Sequence, residues 1–190
     1  SLSILSTSLC AWLLAGPASA GVNQGGTLIV HAQPTPIDTQ CSGGCSLDDG
    51  CVQLDVCANA RTTLPLGNTA VVSVLAAFPT GSSPRVKGVT FGIDYTPNLG
   101  VSPAFPCADF ELQGDSWPAA GSGTALTWNT ARQDRLFVVY SFVATSYSGE
   151  GPAMFRVIPH PVQGGSFADD GIPAVVDAIE MGADSGPSSV

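Results

Sequence analysis

Charge is scarce in this chain, and basic charge scarcest of all: Asp and Glu number 15 against 6 Lys and Arg, charged residues make up 11% of the whole, and the formal net charge is −9. A polyanion would be repelled by such a surface, which excludes nucleic acid as a partner class while leaving divalent cations and neutral ligands compatible. Histidine is limited to His31 and His160, so imidazole chemistry has few places to reside. There is no G-x-S-x-G elbow (Gly164-Gly165-Ser166-Phe167-Ala168 is the nearest approach), no H-E-x-x-H and no glycine-lysine phosphate loop. Nucleophilic, zinc-hydrolase and nucleotide chemistry therefore lack their signatures, and no enzyme is expected. Beyond residue 20 no apolar run approaches the roughly 20 residues that a membrane-spanning helix needs.

The first 20 residues, SLSILSTSLCAWLLAGPASA, carry no charge at all. Their apolar run from Leu9 to Ala15, the Gly16-Pro17 break and the closing Ala18-Ser19-Ala20 form the h-region and A-x-A cleavage pattern of a secretory signal peptide. Cleavage is expected after Ala20, with no membrane insertion of the product and a secreted or cell-surface location. No initiator Met and no basic n-region precede Ser1, so the chain reads as a piece of a longer frame. Leu9 is too bulky for Cys10 to be a lipidation site.

Export bears on CSGGCSLDDGCVQLDVC, residues 41–57. Its C-x3-C-x5-C-x5-C spacing matches none of the paired knuckles of zinc sites, and exported cysteines are oxidised into disulfides. Without Cys10 the chain holds Cys41, Cys45, Cys51, Cys57 and Cys107, an odd number. That arithmetic gives two bridges and one remaining thiol, with the connectivity open. The segment reads as an irregular stapled loop.

Gly and Pro, 22 and 15 in number, punctuate the chain at short intervals in the manner of a turn-rich all-β protein. GTLIVHA at 26–32 is a short apolar strand. TAVVSVLAAF at 69–78 is apolar on both faces and belongs in the middle of the fold. VTFGIDY at 89–95 alternates, with Val89, Phe91, Ile93 and Tyr95 inward and Thr90, Gly92 and Asp94 outward. Further strands are predicted at 107–112, 124–129, 135–144 and 153–159, and residues 167–182 read as an edge strand or a short helix. About eight strands without helical periodicity between them predict an antiparallel β-sandwich of the Ig, cohesin or jelly-roll kind over residues 21–182, with 183–190 as a tail or linker.

The stretch SPRVKGVTFGIDYTPNLGV, 83–101, with its inward aromatic followed by a Tyr-x-Pro-Asn turn, resembles the corresponding region of cohesin-like surface modules. In those modules the sandwich binds a protein partner, although no binding residue carries over position by position. GGTLIVHA, SPRVKGVTFGIDY, DFELQGDSWPAAGSGTALTWNT and IPHPVQGGSFADDGIPAVVDAI together resemble a family of uncharacterised secreted bacterial proteins across much of residues 25–180. That resemblance implies no activity.

The candidate site residues are few. Asp109 and Glu111 share one strand face opposite Phe110 and Leu112, and paired carboxylates serve glycoside hydrolysis, although an i, i+2 pair also decorates solvent faces. Trp117, in the loop GDSWPAAGSG, is the ring placed for sugar stacking or for plugging the end of the core, whereas Trp128 shares strand parity with Leu126 and reads as core. His160 precedes Asp169 and Asp170 by one loop, as a His/Asp site would require, and equally as a strand end followed by a solvated turn. No cofactor is expected. Calcium is the one ion with adjacent carboxylates on offer, Asp48 and Asp49 in SLDDG and Asp169 and Asp170 in FADDG, although Asp-Asp-Gly is also ordinary turn chemistry. The combined reading is a secreted non-catalytic interaction or structural module whose partner is a protein or glycan at the cell surface, with a carbohydrate-binding module as the alternative and a hydrolase behind it.

Overall fold

Strands form wherever apolar residues alternate between turn signals, and they assemble in the computed structural model into two antiparallel sheets. The structure describes residues 21–33, 45, 47, 52, 54, 59–60, 67, 69–147, 153–180 and 188–189. The predicted leader, Cys41, Cys51, Cys57, Asp48 and Asp49 lie outside the described residues. In chain order the strands are β1 (Thr27–Gln33), β2 (Thr69–Ala77), β3 (Val86–Tyr95), β4 (Leu99–Pro106), β5 (Phe110–Gln113), β6 (Ser122–Arg132), β7 (Leu136–Ser146), β8 (Met154–Ile158), β9 (Ser166–Ala168), β10 (Val176–Ala178) and β11 (Ser188–Ser189). One sheet has the order β1-β2-β7-β4; the other runs β10-β9-β3-β6-β5, with β8 also on β3 and β11 on β8. The predicted antiparallel β-sandwich is thus the fold.

β3 organises the larger sheet because two short strands share one of its edges. Its first half pairs with β9 through Gly88–Ala168, Val89–Phe167 and Thr90–Ser166, and its second half with β8 from Gly92–Ile158 to Tyr95–Phe155. The region expected as one edge strand or a short helix is therefore two three-residue strands, β9 and β10, joined by the turn around Asp169. Ser188 and Ser189, within the segment expected as a tail or linker, pair with Phe155 and Met154.

Side chains from both sheets meet in one core. Phe91 and Ile93 of β3, Leu126 of β6, Phe155 of β8 and Phe167 of β9 face Val72 and Val74 of β2 and Val139 and Phe142 of β7, all fully buried. Each such side chain contributes roughly 1.5–3 kcal/mol on leaving water. The inward set predicted for β3 is observed, with Tyr95 half-buried at its end and stacked on Phe155.

β4 is not among the strands that alternation predicts, since Pro103 and Pro106 interrupt it. It forms because it lies at the edge of the smaller sheet, where a missing N–H costs no ladder bond on the outer side, and its register on β7 shifts between Pro103 and Phe105.

The second apolar face of β2 has its own cover. Leu75 of β2, Val138 of β7 and Cys107 form a separate buried cluster with Val52 and Leu54, and Ile29, Cys45, Leu47, Ala60 and Leu136 pack around it. A disulfide joins Cys45 to Cys107, with Cα atoms 5.2 Å apart. The cysteine segment is thus stapled to the sandwich, and its few apolar residues seat on the outside of the smaller sheet.

Candidate docking face

Asp109 and Glu111 are not aimed at a common point. Asp109 is exposed and accepts the N–H of Asn129, within β6, at 2.8 Å through Oδ2. Glu111 lies opposite Leu126, on the inner side of the sheet edge, where its Oε1 accepts the Thr124 hydroxyl at 2.9 Å and its Oε2 the Gln113 amide at 3.0 Å. Close by, the Tyr140 phenol is pushed up to about 12, chiefly by burial; the Trp117 N–H pulls the other way, and the Glu111 carboxylate adds to the rise.

Trp117 is half-buried, and its ring is packed edge-on against Phe91, Tyr140 and Phe142 at centroid distances of 5.8, 5.5 and 5.7 Å. Its Nε1–H donates to the Tyr140 hydroxyl at 3.2 Å. Pro118, joined to it by a cis peptide bond, accepts from the Tyr95 hydroxyl at 3.2 Å. Of the two expectations for Trp117, this geometry corresponds to the plug over the end of the core. Trp128 is buried and donates its Nε1–H to the Cys107 carbonyl at 2.6 Å.

The remaining candidates are separated by their partners. His160 is buried against the outer side of the larger sheet, where Gly123 makes room: a Cβ there would lie 2.5 Å from the His160 ring. Its Nδ1 accepts the Val162 and Gln163 amides, each at 3.1 Å. Asp169 Oδ1 accepts the Gly171 and Val175 amides at 2.9 and 2.7 Å, which is the turn chemistry that Asp-Asp-Gly allows. Asp170 pairs with Arg85, whose guanidinium holds the carboxyl below the usual carboxylate range. A cleft of about 330 Å³ lies between residues 114–116 and 119–123 on one side and His160, Pro161 and Val162 on the other, and among the described residues no carboxylate is hydrogen-bonded to the imidazole. Among the described residues, no group of three or more His, Cys, Asp and Glu is placed to share a metal ion. His31 lies in register with Ser73, and Ser73 with Ser141, forming a buried polar row in which the two serine hydroxyls are 3.1 Å apart.

What the larger sheet does present is a broad outer face. The β5–β6, β6–β3, β3–β9 and β9–β10 registers line up Phe110, Thr127, Gly88, Ala168 and Val176 in one row across five strands. The next row is Leu112, Ala125, Thr90, Ser166 and Ala178. Side chains of opposite parity on these strands, such as Val89, Leu126 and Phe167, fill the core, so both rows look outward. With adjacent strands about 4.8 Å apart, the rows span about 19 Å. Their floor is small and uncharged, and the Thr90 hydroxyl is within hydrogen-bond distance of Ser166 and Gly164. Large apolar side chains rise at the ends: Phe110 and Leu112 are 58% and 60% exposed, and Val176 is 62% exposed beside Ile172. The ion pairs Arg85–Asp170 and Asp94–Arg156 stand beyond the two ends of β3's central stretch.

Sequence reasoning paired Asp109 with Glu111 and left Phe110 and Leu112 without a role. The outward positions Thr90 and Gly92 were readable from alternation in β3; the signal for a face is that Gly88 on the same strand and Ala125 and Thr127 on β6 are equally small. Among known proteins no family model and no curated sequence matches the chain, so a reading of this face stands on its geometry.

Proposed function

We propose that this chain is a secreted, non-catalytic interaction module that docks a partner protein on the outer face of its larger sheet. The observation that carries the reading is the pair of in-register rows, a flat uncharged floor with exposed Phe110 and Leu112 at one edge and Val176 at the other. Contiguous apolar surface that folding leaves uncovered marks an interaction site, and exposed aromatics are the usual anchors. A width of about 19 Å accommodates a packed protein surface, a helix with side chains being about 10–12 Å across. Trp128 is buried and the half-buried Trp117 ring is packed edge-on against Phe91, Tyr140 and Phe142, which favours a protein over a stacked sugar. The Cys45–Cys107 disulfide is compatible with an extracellular protein, and no helix among the described residues is long and apolar enough to cross a membrane. The resemblance of residues 83–101 to cohesin-like modules points the same way.

The test is site-specific photocrosslinking on the surface of the native host, with the probe at Leu112, at Thr127 or, as a control on the smaller sheet's side, at Tyr147. One protein captured from Leu112 and Thr127 but not from Tyr147, and lost with Phe110→Asp, supports the docking face. Equal capture from all three positions, or glycan-array binding that persists in Phe110→Asp, sinks it.

A further inference from the structure

The residues that follow the predicted cleavage point are received by a built acceptor. Asp177 projects inward from β10 and is 7% exposed, the only carboxylate among the buried described residues. Its Oδ1 accepts the Gly21 N–H at 2.8 Å and its Oδ2 the Asn23 N–H at 3.0 Å. Asn23 is fully buried, and its side chain is bonded to both the N–H and the carbonyl of Arg85, at 2.9 and 3.3 Å. The turn closes on itself through Gln24 N–H to the Gly21 carbonyl at 3.2 Å and Gly26 N–H to the Asn23 carbonyl at 3.1 Å. Glycine at position 21 lets the carboxylate come this close, since a Cβ there would lie 2.2 Å from Asp177 Oδ2 and push it aside. Among the described residues, the ion pairs are Arg85–Asp170, Arg132–Asp134 and Arg156–Asp94, and none involves Asp177. A buried carboxylate held by neutral amides alone is a costly arrangement, and a cation at one of those amides relieves it.

We infer that leader removal supplies that cation: cleavage of the Ala20–Gly21 bond turns the Gly21 nitrogen into an α-ammonium that pairs with Asp177 and latches the N-terminal turn onto β10. The step is a hydrolysis by an export leader peptidase. Water adds its hydroxyl to the Ala20 carbonyl and a proton to the departing Gly21 nitrogen, the new carboxyl group releases a proton, and the amine takes one up. The same nitrogen that donated a neutral hydrogen bond then donates a charge-assisted one, which is shorter and roughly twice as strong. The inference rests on reading residues 1–20 as a leader, and processing becomes a stabilising event as well as a release.

The test uses protein exported and processed by a bacterial host. Intact mass is expected to place the N-terminus at Gly21. Melting is then compared for the free-amine chain, the same chain acetylated on Gly21, which keeps the N–H and loses the charge, and a chain beginning at Ala20. The free amine is expected to melt higher than both others by about 2–4 °C. In Asp177→Asn the gap between the free and acetylated forms is expected to close. A start at another residue overturns the leader boundary on which the latch depends. A start at Gly21 with equal melting of free and acetylated chains overturns the latch itself, a comparison that holds even if Asp177→Asn fails to fold. A gap that persists in Asp177→Asn also overturns it.

Discussion

The two sheets differ most on the sides that face away from each other. Outside the smaller sheet, Ile29, Leu75 and Val138 are too apolar to leave in water, and Val52, Leu54, Cys45 and Leu47 pack on them. Outside the larger sheet the floor is Gly88, Thr90, Ala125, Thr127, Ser166 and Ala168, of which Thr127 is exposed and Thr90, Ala125, Ser166 and Ala168 are part-exposed. One face is closed by chain and a disulfide; the other is made of residues small enough to tolerate water. The lesson is that large apolar side chains in the outward positions of a strand call for a lid, and small ones make an open surface.

That contrast breaks most visibly if the staple goes. Replacing Cys45 and Cys107 together by Ser opens a bridge with a sequence separation of 62. Urea unfolding is expected to find about 4 kcal/mol less stability, the chain-entropy value for a loop of that length. Leu54, 2% exposed in the covered cluster, is next. Leu54→Ala is expected to cost about 2–4 kcal/mol by the same measurement, because the cavity lies between lid and sheet.

Alkaline titration probes the seam between the sheets rather than either outer face. With Tyr140 pushed up to about 12, chiefly by burial, the unfolded chain loses its proton first, near the ordinary tyrosine value of about 10. Tyr140's contribution is therefore fully present below pH 10 and is lost as pH rises through about 12. A loss of roughly 2 kcal/mol is expected, since the side chain is fully buried, and Tyr140→Phe is expected to flatten that slope. On the open face, Leu112→Ala is expected to change stability by less than about 0.5 kcal/mol, since its side chain is 60% exposed. A loss as large as that of Leu54→Ala would erase the distinction between covered and open faces.

Much of the sandwich was legible because its central strands carry the signal twice, in alternation and in β-branched or aromatic content. VTFGIDY gave the inward set of β3 directly. Apolar residues on both faces of β2 announced two covers but could not name the second, which comes from residues distant in sequence and poor in apolar content. The partner of Cys107 was unreadable for the same reason: pairing depends on where the segment lands. At β5, alternation separated Asp109 and Glu111 from Phe110 and Leu112 but could not say which set looks out. Glu111 turns inward because Thr124 meets it on the neighbouring strand, a contact between residues 13 positions apart.

The prolines of β4 have a consequence for how this molecule meets copies of itself. A sheet edge with free N–H and C=O groups is a template for an incoming strand, and the growth of fibres begins there. Pro103 and Pro106 offer no N–H, and the shift between Pro103 and Phe105 breaks the even spacing that a templated strand would need. The border at β4 is thus a poor template for an incoming strand, and copies of this molecule are kept from joining there sheet to sheet.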